Sequence, residues 1–216
     1  MFDFDRFRSL KSKGFTPDIV LDIGAYHGHW TSQMKHIYES AEFHLFEAID
    51  YKELSIFSNV YIALLSDTVG KTVDWFEMRN TGDSMFREKT QWFADCAVIK
   101  RTTTTLDFLS NTFILEKNKR ILMKIDCQGA EIDILKGAAN VLKQTDFIVM
   151  ELPLFTQYNA GVPGFLEHIQ FMDSIGFIPY DVLEHHRCHD FTIQVDILFI
   201  SKAHELNRIA QEQISA

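Results

Sequence analysis

The chain has 216 residues, 46% of them hydrophobic, and carries 21 Lys and Arg against 30 Asp and Glu, a formal net charge of −9. A chain of this length can bury a full core as one domain, and its acid excess offers no broad footprint for nucleic acid or for an anionic membrane surface. Cys96, Cys127 and Cys188 form no C-x-x-C pair, the N-terminal MFDFDRFRSLKSKGF lacks the apolar core of a secretory signal, and no apolar run approaches the roughly 20 residues of a membrane span. Together these features predict free thiols and a cytoplasmic protein.

In chain order, residues 4–12 read as a short helix that covers a sheet from outside. IVLDI, residues 19–23, reads as a buried strand, followed by a glycine loop and a helix over 30–38 with Trp30, Met34 and Ile37 on one face. A strand over 43–46 ends in Glu47, a short helix spans 51–57, and 60–65 is a third strand. Residues 71–78 alternate as a strand with one wet face, and 98–106 do so less cleanly. Between them lies RNTGDSMFREKTQWFADC, polar and aromatic together. A helix over 107–113 precedes a strand at 121–126. The helix pattern of 130–142 is divided or stopped by Gly137. A strand at 147–152 leads to a helix at 163–175, with Pro163 near its start and Gly176 past its end. Strands at 178–183 and 191–200 and a helix at 203–214 complete the chain.

No Gly-, Ser- or Pro-rich linker divides the sequence, so residues 1–216 are read as one domain, with 1–14 as an N-terminal cap helix and 71–104 as a hairpin or lid insertion. Strands alternating with helices predict an α/β fold, a parallel sheet covered on both faces. The last two strands, joined only by EHHRCHD, should pair antiparallel at one edge. In such sheets ligands bind at the carboxyl ends of the strands, near the point where strand order reverses.

Several residues at those ends suggest chemistry. In LDIGAYHGHW, Gly24 and Gly28 let the backbone approach a ligand, and Asp22 can accept hydrogen bonds from a cationic or hydroxylated one. The spacing is G-x-x-x-G, with Tyr26 where a dinucleotide-binding loop has its second glycine. Taken alone, the loop serves equally as a ligand turn or as a plain connection. Glu47 ends the next strand 25 residues after Asp22, near the spacing of ribose-binding acids in Rossmann-like folds. In ILMKIDCQGAEIDILKGA, Lys124 and Asp126 lie on one face of a buried strand, roughly 6.6 Å apart along it. An unpaired lysine there would cost several kcal/mol, so Lys124 pairs with Asp126 or shares Asp22, Glu131 or Glu151. Glu131 can complement the dipole of the next helix, and Gly129 permits a tight turn. His185, His186, Cys188, His189 and Asp190 crowd one segment. They are zinc-ligand types, but H-H-x-C-H has no standard spacing, and an exposed loop near the crevice is the favoured reading.

VLDIGAYHG, LFEA, TTLDFL, LMKIDCQGAEIDILKGA and IVMEL, in that order, resemble the FkbM family of S-adenosylmethionine-dependent methyltransferases over residues 15 to 200. KIDCQGAEIDILKGA is similar to the family's K-I-D-x-E-G-A-E-x-x-x-L-x-G-A. It departs at Gln128, where the family usually has Glu, and Tyr26-His27 stands where Asn is frequent. The resemblance implies a Rossmann-like class I methyltransferase fold, with a seven-stranded, mostly parallel sheet and an extra hairpin. It implies S-adenosylmethionine as cofactor, with Asp22, Gly24, Ala25, Tyr26 and Gly28 around its methionine part, Glu47 on the ribose, and Ser66 and Asp67 near adenine. Ser84, in TGDSMF, is an expected active-site contact. The implied reaction is O-methylation of a hydroxyl on a sugar or secondary metabolite, a small-molecule or glycan acceptor. Asp126 would act as base or acceptor-positioning group, Lys124 would tune it, Glu151 and His185 would face the acceptor, and Phe86, Trp92 and Phe93 would form a lid. A magnesium ion between Asp126 and Glu151 is the weaker option, and no metal site is predicted. Two rivals remain: a nicotinamide-dependent oxidoreductase, disfavoured by the absent G-x-G-x-x-G, and a cofactor-binding protein without catalysis, hinted at by Gln128.

Overall fold

The computed structural model describes residues 1–111, 113, 119–154 and 159–215. Its elements are α1 (Asp5–Ser12), β1 (Ile19–Ile23), α2 (His29–Ile37), β2 (Glu42–Glu47), β3 (Val60–Ile62), β4 (Leu64–Leu65), β5 (Thr72–Glu77), β6 (Ala97–Thr104), α3 (Leu106–Ser110), β7 (Ile121–Ile125), α4 (Glu131–Lys136), β8 (Thr145–Pro153), α5 (Phe165–Ser174), β9 (Phe177–Cys188), β10 (Phe191–Ser201) and α6 (Glu205–Ile214). Seven strands form one sheet in the order β3-β2-β1-β7-β8-β10-β9. All pairs from β3 to β8 are parallel, and β10 runs antiparallel to both β8 and β9. This is the expected seven-stranded, mostly parallel sheet, and its order reverses between β1 and β7.

Every residue of β1 and β7 is buried, as strands covered on both faces must be. Alternate residues feed two cores. Val20, Leu122 and Phe147 join Phe7, Met34 and Ile37 on one face. Leu21, Met123 and Ile148 join Ile134, Leu135 and Met172 on the other. Period-two alternation therefore sends each strand's side chains into two layers, one covered by α1 and α2, the other by α4 and α5. Burying a side chain such as Met34 stabilises the fold by roughly 1.5–3 kcal/mol.

The structure differs from expectation in three places, each for a local reason. The strand expected at 60–65 breaks at Ala63: β3 stays on β2, while β4 leaves to pair with β6 in a second sheet of order β4-β6-β5. The helix expected at 107–113 is the short α3, started by Thr105 Oγ1 accepting from the Phe108 amide at 3.1 Å, and residue 112 lies outside the described residues. Of the two roles open to Gly137, the structure shows the stop: it ends α4, and a 3₁₀ turn follows at Val141–Gln144. A Cβ at Gly137 would stand 2.2 Å from the Ser66 carbonyl oxygen, so the chain approaches closely only because this residue is glycine. The EHHRCHD segment is not a loop. β9 continues to Cys188, and the turn is His189–Asp190 with φ of 46° and 61°, the positive pair that a tight two-residue hairpin turn requires.

Candidate active site

Because β3, β2, β1, β7 and β8 are parallel, Ile23, Glu47, Ile125 and the end of β8 reach one rim of the sheet. The antiparallel β10 brings its first half to the same rim, where Asp196 lies opposite Glu151. Gly24 leaves β1 with φ +74°, and a Cβ there would sit 1.9 Å from the Asp126 carbonyl oxygen. The ends of β1 and β7 thus converge as only glycine allows. Gly28, at φ +75°, caps α2, and a Cβ there would meet the Phe57 ring at 2.3 Å.

Glu47 stabilises the loop between these glycines. Its Oε2 accepts from the Tyr26 amide at 2.8 Å and its Oε1 from the Ile49 amide at 3.1 Å. The first bond helps hold Tyr26 at φ +49°. Burial pushes Glu47 above the ordinary carboxylate range, opposed by these backbone donors and by Lys124. Each carboxylate oxygen accepts more than one hydrogen bond, so Glu47 keeps acceptor capacity for a ligand.

Lys124 answers the charge question posed by the sequence. Its Nζ donates to the Gly24 carbonyl at 3.1 Å and lies 3.4 Å from Asp22 Oδ1 and 3.6 Å from Asp126 Oδ2. Burial alone would lower its pKa, but Asp22 and Asp126 outweigh burial and raise it, which keeps the ammonium charged. Asp22 is fully buried, and its Oδ2 accepts from Thr31 Oγ1 at 2.7 Å. Glu131, offered above as another partner for Lys124, instead accepts the Cys127 and Gly129 amides at 3.0 and 3.1 Å.

A cleft open to solvent lies between Glu47 and Asp126, with Gly24, Tyr26, Cys127 and Gln128 also in its wall. Phe46, Leu64, Leu65 and Ile134 make its apolar side, and Tyr51, Trp75, Asn80, Thr81, Asp83 and Met85 close it from the hairpin side. An apolar side facing a few convergent polar groups is the lining expected of a small-molecule site. Asp83 and the residues around it were missed from sequence, although TGDSMF pointed to the right turn. Ser84 itself is buried and structural: its hydroxyl donates to the Gln128 carbonyl at 3.0 Å and accepts from the Phe86 amide at 3.0 Å.

Ala25 is buried behind the loop, its amide donating to the Phe46 carbonyl at 3.1 Å. Ser66 and Asp67 do not line the cavity. β4 ends there, so Leu64 and Leu65 face the space while Ser66 packs its backbone against Gly137. Of the expected lid residues, Phe93 is buried and Trp92 is exposed, and neither borders the cavity.

Gln128, at φ +51°, bridges two carboxylates: its Nε2 lies 3.3 Å from both Asp126 Oδ1 and Glu151 Oε2. Glu151 Oε2 also accepts from Gln194 Nε2 at 2.8 Å, and its Oε1 lies 3.5 Å from His186 Nε2. His186 Nε2 lies 3.0 Å from Asp196 Oδ2. Burial first, then Asp126 and Asp196, pushes Glu151 well above the usual carboxylate range. The hydrogen bond to Asp196 raises His186 despite partial burial. His185 corrects an expectation. Because 177–188 is a strand, neighbouring residues face opposite sides. His186 turns to Glu151, and His185 lines a surface groove with Met1–Asp5.

The sheet order, the glycine loop and the paired acids at one rim define a Rossmann-like class I methyltransferase fold. The family model described as the methyltransferase FkbM domain matches residues 22–179, and the chain belongs to that family. Among solved structures it is similar to 1,6-didemethyltoxoflavin-N1-methyltransferase of Burkholderia thailandensis, with bound 1,6-didemethyltoxoflavin and S-adenosylhomocysteine (10% identity, TM-score 0.48, 92% of this chain and 77% of that one). It is also similar to the FkbM methyltransferase of Methylobacillus flagellatus KT (12% identity, TM-score 0.49), where 84% of this chain spans 43% of the other. A third is the precorrin-6y C5,15-methyltransferase of Geobacter metallireducens GS-15 (10% identity, TM-score 0.44, 91% and 88% covered). No curated protein matches the sequence. Among the described residues no helix is long and apolar enough to cross a membrane.

Proposed function

We propose that the protein is an O-methyltransferase that moves the methyl group of S-adenosylmethionine to a hydroxyl of a small-molecule or glycan acceptor, a sugar or a secondary metabolite. The observation that carries this reading is that Glu47 and Asp126 face one cavity across Gly24. The cavity suits the cofactor on three counts. Gly24 and Gly28 leave the loop bare where a Cβ would intrude, Glu47 has acceptor capacity for ribose hydroxyls, and Phe46, Leu64, Leu65 and Ile134 offer an apolar wall for a base. The hairpin of 71–104 acts as the lid through Asn80–Met85, in what is read as a single methyltransferase domain. Three unpaired cysteines fit a reducing, cytoplasmic setting.

Held by Glu47 and the loop from Gly24 to Gly28, the cofactor would supply a methyl group on a cationic sulfur that would keep the electron pair of the S–C bond. Asp126 takes the acceptor's hydroxyl proton as the O–C bond forms. Lys124 and the Gln128 amide hold the Asp126 carboxylate from two sides, which fixes its direction. The hairpin residues exclude water from the reacting centre.

Calorimetry with S-adenosylhomocysteine tests the reading. Wild type binds, and Glu47→Ala weakens binding by roughly 10- to 100-fold, the loss of one or two charge-assisted hydrogen bonds. Absence of binding by folded wild type overturns it.

A further inference from the structure

We propose that Glu151, His186 and Asp196 form a binding site for a divalent first-row transition-metal ion, on the far side of Gln128 from the cofactor cavity. The three residues come from β8, β9 and β10, and each offers one ligand atom, all within 4.8 Å of one another. His186 Nε2 stands 3.0 Å from Asp196 Oδ2 and 3.5 Å from Glu151 Oε1. Nitrogen and oxygen ligands bonded to one ion at about 2.0–2.2 Å are themselves roughly 3.0–3.5 Å apart. Two of the three spacings already have that value.

The backbone and the surrounding side chains prepare this geometry. The β9–β10 register shifts between Thr192 and Gln194 and again between Asp196 and Ile197. Irregularities of this kind re-aim side chains, and these two flank Asp196. Gln194 and Gln128 both donate to Glu151 Oε2, leaving Oε1 toward His186. Such outer partners orient metal ligands. The His186 side chain is 38% exposed, against 14% for Glu151 and 13% for Asp196, so an ion reaches the site from solvent and keeps open coordination positions.

A second, independent observation points to a ligand beside these residues. Glu151 and Gln194 border a small pocket with Gln128, Asn159 and His168. His168 is 1% exposed, and its Nε2 has no hydrogen-bond partner among the described residues; the Glu131 carboxylate is 3.9 Å away. The pocket adjoins the proposed site through Glu151, and a buried imidazole nitrogen without a partner in its wall is a group that a polar occupant would satisfy. One imidazole with two carboxylates suits Mn²⁺ or Zn²⁺, whereas Mg²⁺ prefers oxygen ligands alone. If the proposed methyl transfer holds, an open position on the ion takes an oxygen of the acceptor across Gln128 from Asp126; the metal site itself does not depend on that reading.

The test uses full-length protein stripped with a chelator and titrated with MnCl₂, following loss of the free Mn²⁺ electron-paramagnetic signal. One ion per chain is expected, displaced by ZnCl₂, with MgCl₂ at least tenfold weaker in competition. His186→Ala and Asp196→Asn should each weaken Mn²⁺ binding at least tenfold, with circular dichroism and metal-free melting confirming that each variant is folded. His186→Ala should leave the S-adenosylhomocysteine affinity within twofold of wild type. No saturable binding by wild type, or binding that both folded variants retain, overturns the proposal. Metal binding without S-adenosylhomocysteine binding supports the ion site and overturns the methyltransferase reading; the reverse outcome does the opposite.

Discussion

β8 carries a half-buried carboxylate near each end, and the two stand in different company. At the amino end, Asp146 Oδ2 lies 3.7 Å from Arg120 Nε and Oδ1 lies 3.8 Å from His204 Nε2, while Arg120 stacks its guanidinium 4.8 Å over the Phe15 ring. Burial pushes Asp146 up to about 6, partly offset by Arg120. At the carboxyl end, Glu151 is raised further, and it meets two amide donors, an imidazole, a second carboxylate and a pocket. A perturbed carboxyl group therefore does not by itself mark a site. What separates the ends is space for a ligand and donors that fix one oxygen while leaving the other free.

The largest expected effect compares two positive-φ glycines, one at each end of the sheet. Gly24 has φ +74° and the Asp126 carbonyl 1.9 Å from its missing Cβ, whereas Gly14, which accepts from Arg120 through its carbonyl, has φ +91° and open space. Gly24→Ala should cost at least ~3 kcal/mol and abolish S-adenosylhomocysteine binding, because backbone must move. Gly14→Ala should cost only ~1 kcal/mol and leave binding intact. Urea unfolding with calorimetry checks both. Similar losses at both positions would show that conformational strain, not the closeness of β1 to β7, governs Gly24.

The two cations of this region sharpen the contrast. Lys124→Met leaves Asp22 and Asp126 without their shared ammonium, and breaking such a buried pair costs about 3–5 kcal/mol. Arg120 is 39% exposed in its ion pair, so Arg120→Met should cost no more than about 1 kcal/mol. Adding Asp22→Asn to Lys124→Met should recover part of the loss. Additive effects in that double variant would mean that the Asp22–Lys124 contact contributes little.

What could be foreseen follows the range of each interaction. The spacing of Lys124 and Asp126 put both on one strand face, and it set the buried-charge problem. Which acid solves it depended on β1 lying beside β7 with Asp22 opposite Lys124, a long-range fact that left Asp22, Glu131 and Glu151 as equals in sequence. The core faces were legible because Val20 and Leu21 obey period two. EHHRCHD was not legible as strand, because it lacks apolar alternation and its turn has no glycine. Reading it as loop lost the alternation that separates His185 from His186. The cavity wall from Asn80 to Met85 depended on the Phe76–Ser84 bridge, a pairing that no local pattern announces.

The smallest predicted effect removes the only partly compensated charge at the amino end. Asp146 Oδ2 has no hydrogen-bond partner among the described residues, and its folded pKa is raised from 3.8 to about 6. The native state therefore holds this proton more tightly than the unfolded chain. Stability contributed by the protonated form is full below the unfolded value, declines as pH rises through the window, and is gone above about pH 6. At pH 8 the charged carboxylate costs the fold about 3 kcal/mol before solvent screening, and less after it, since the side chain is 24% exposed. Asp146→Asn, which mimics the protonated group, should be more stable than wild type by about 1–2 kcal/mol at pH 8, and the gain should shrink below pH 6 and nearly vanish by about pH 4. Urea midpoints for both proteins at several pH values decide it. A gain that stays constant across that range would assign the effect to packing; equal midpoints at pH 8 would show that Arg120 fully compensates Asp146 and that the two ends of β8 differ less than their surroundings imply.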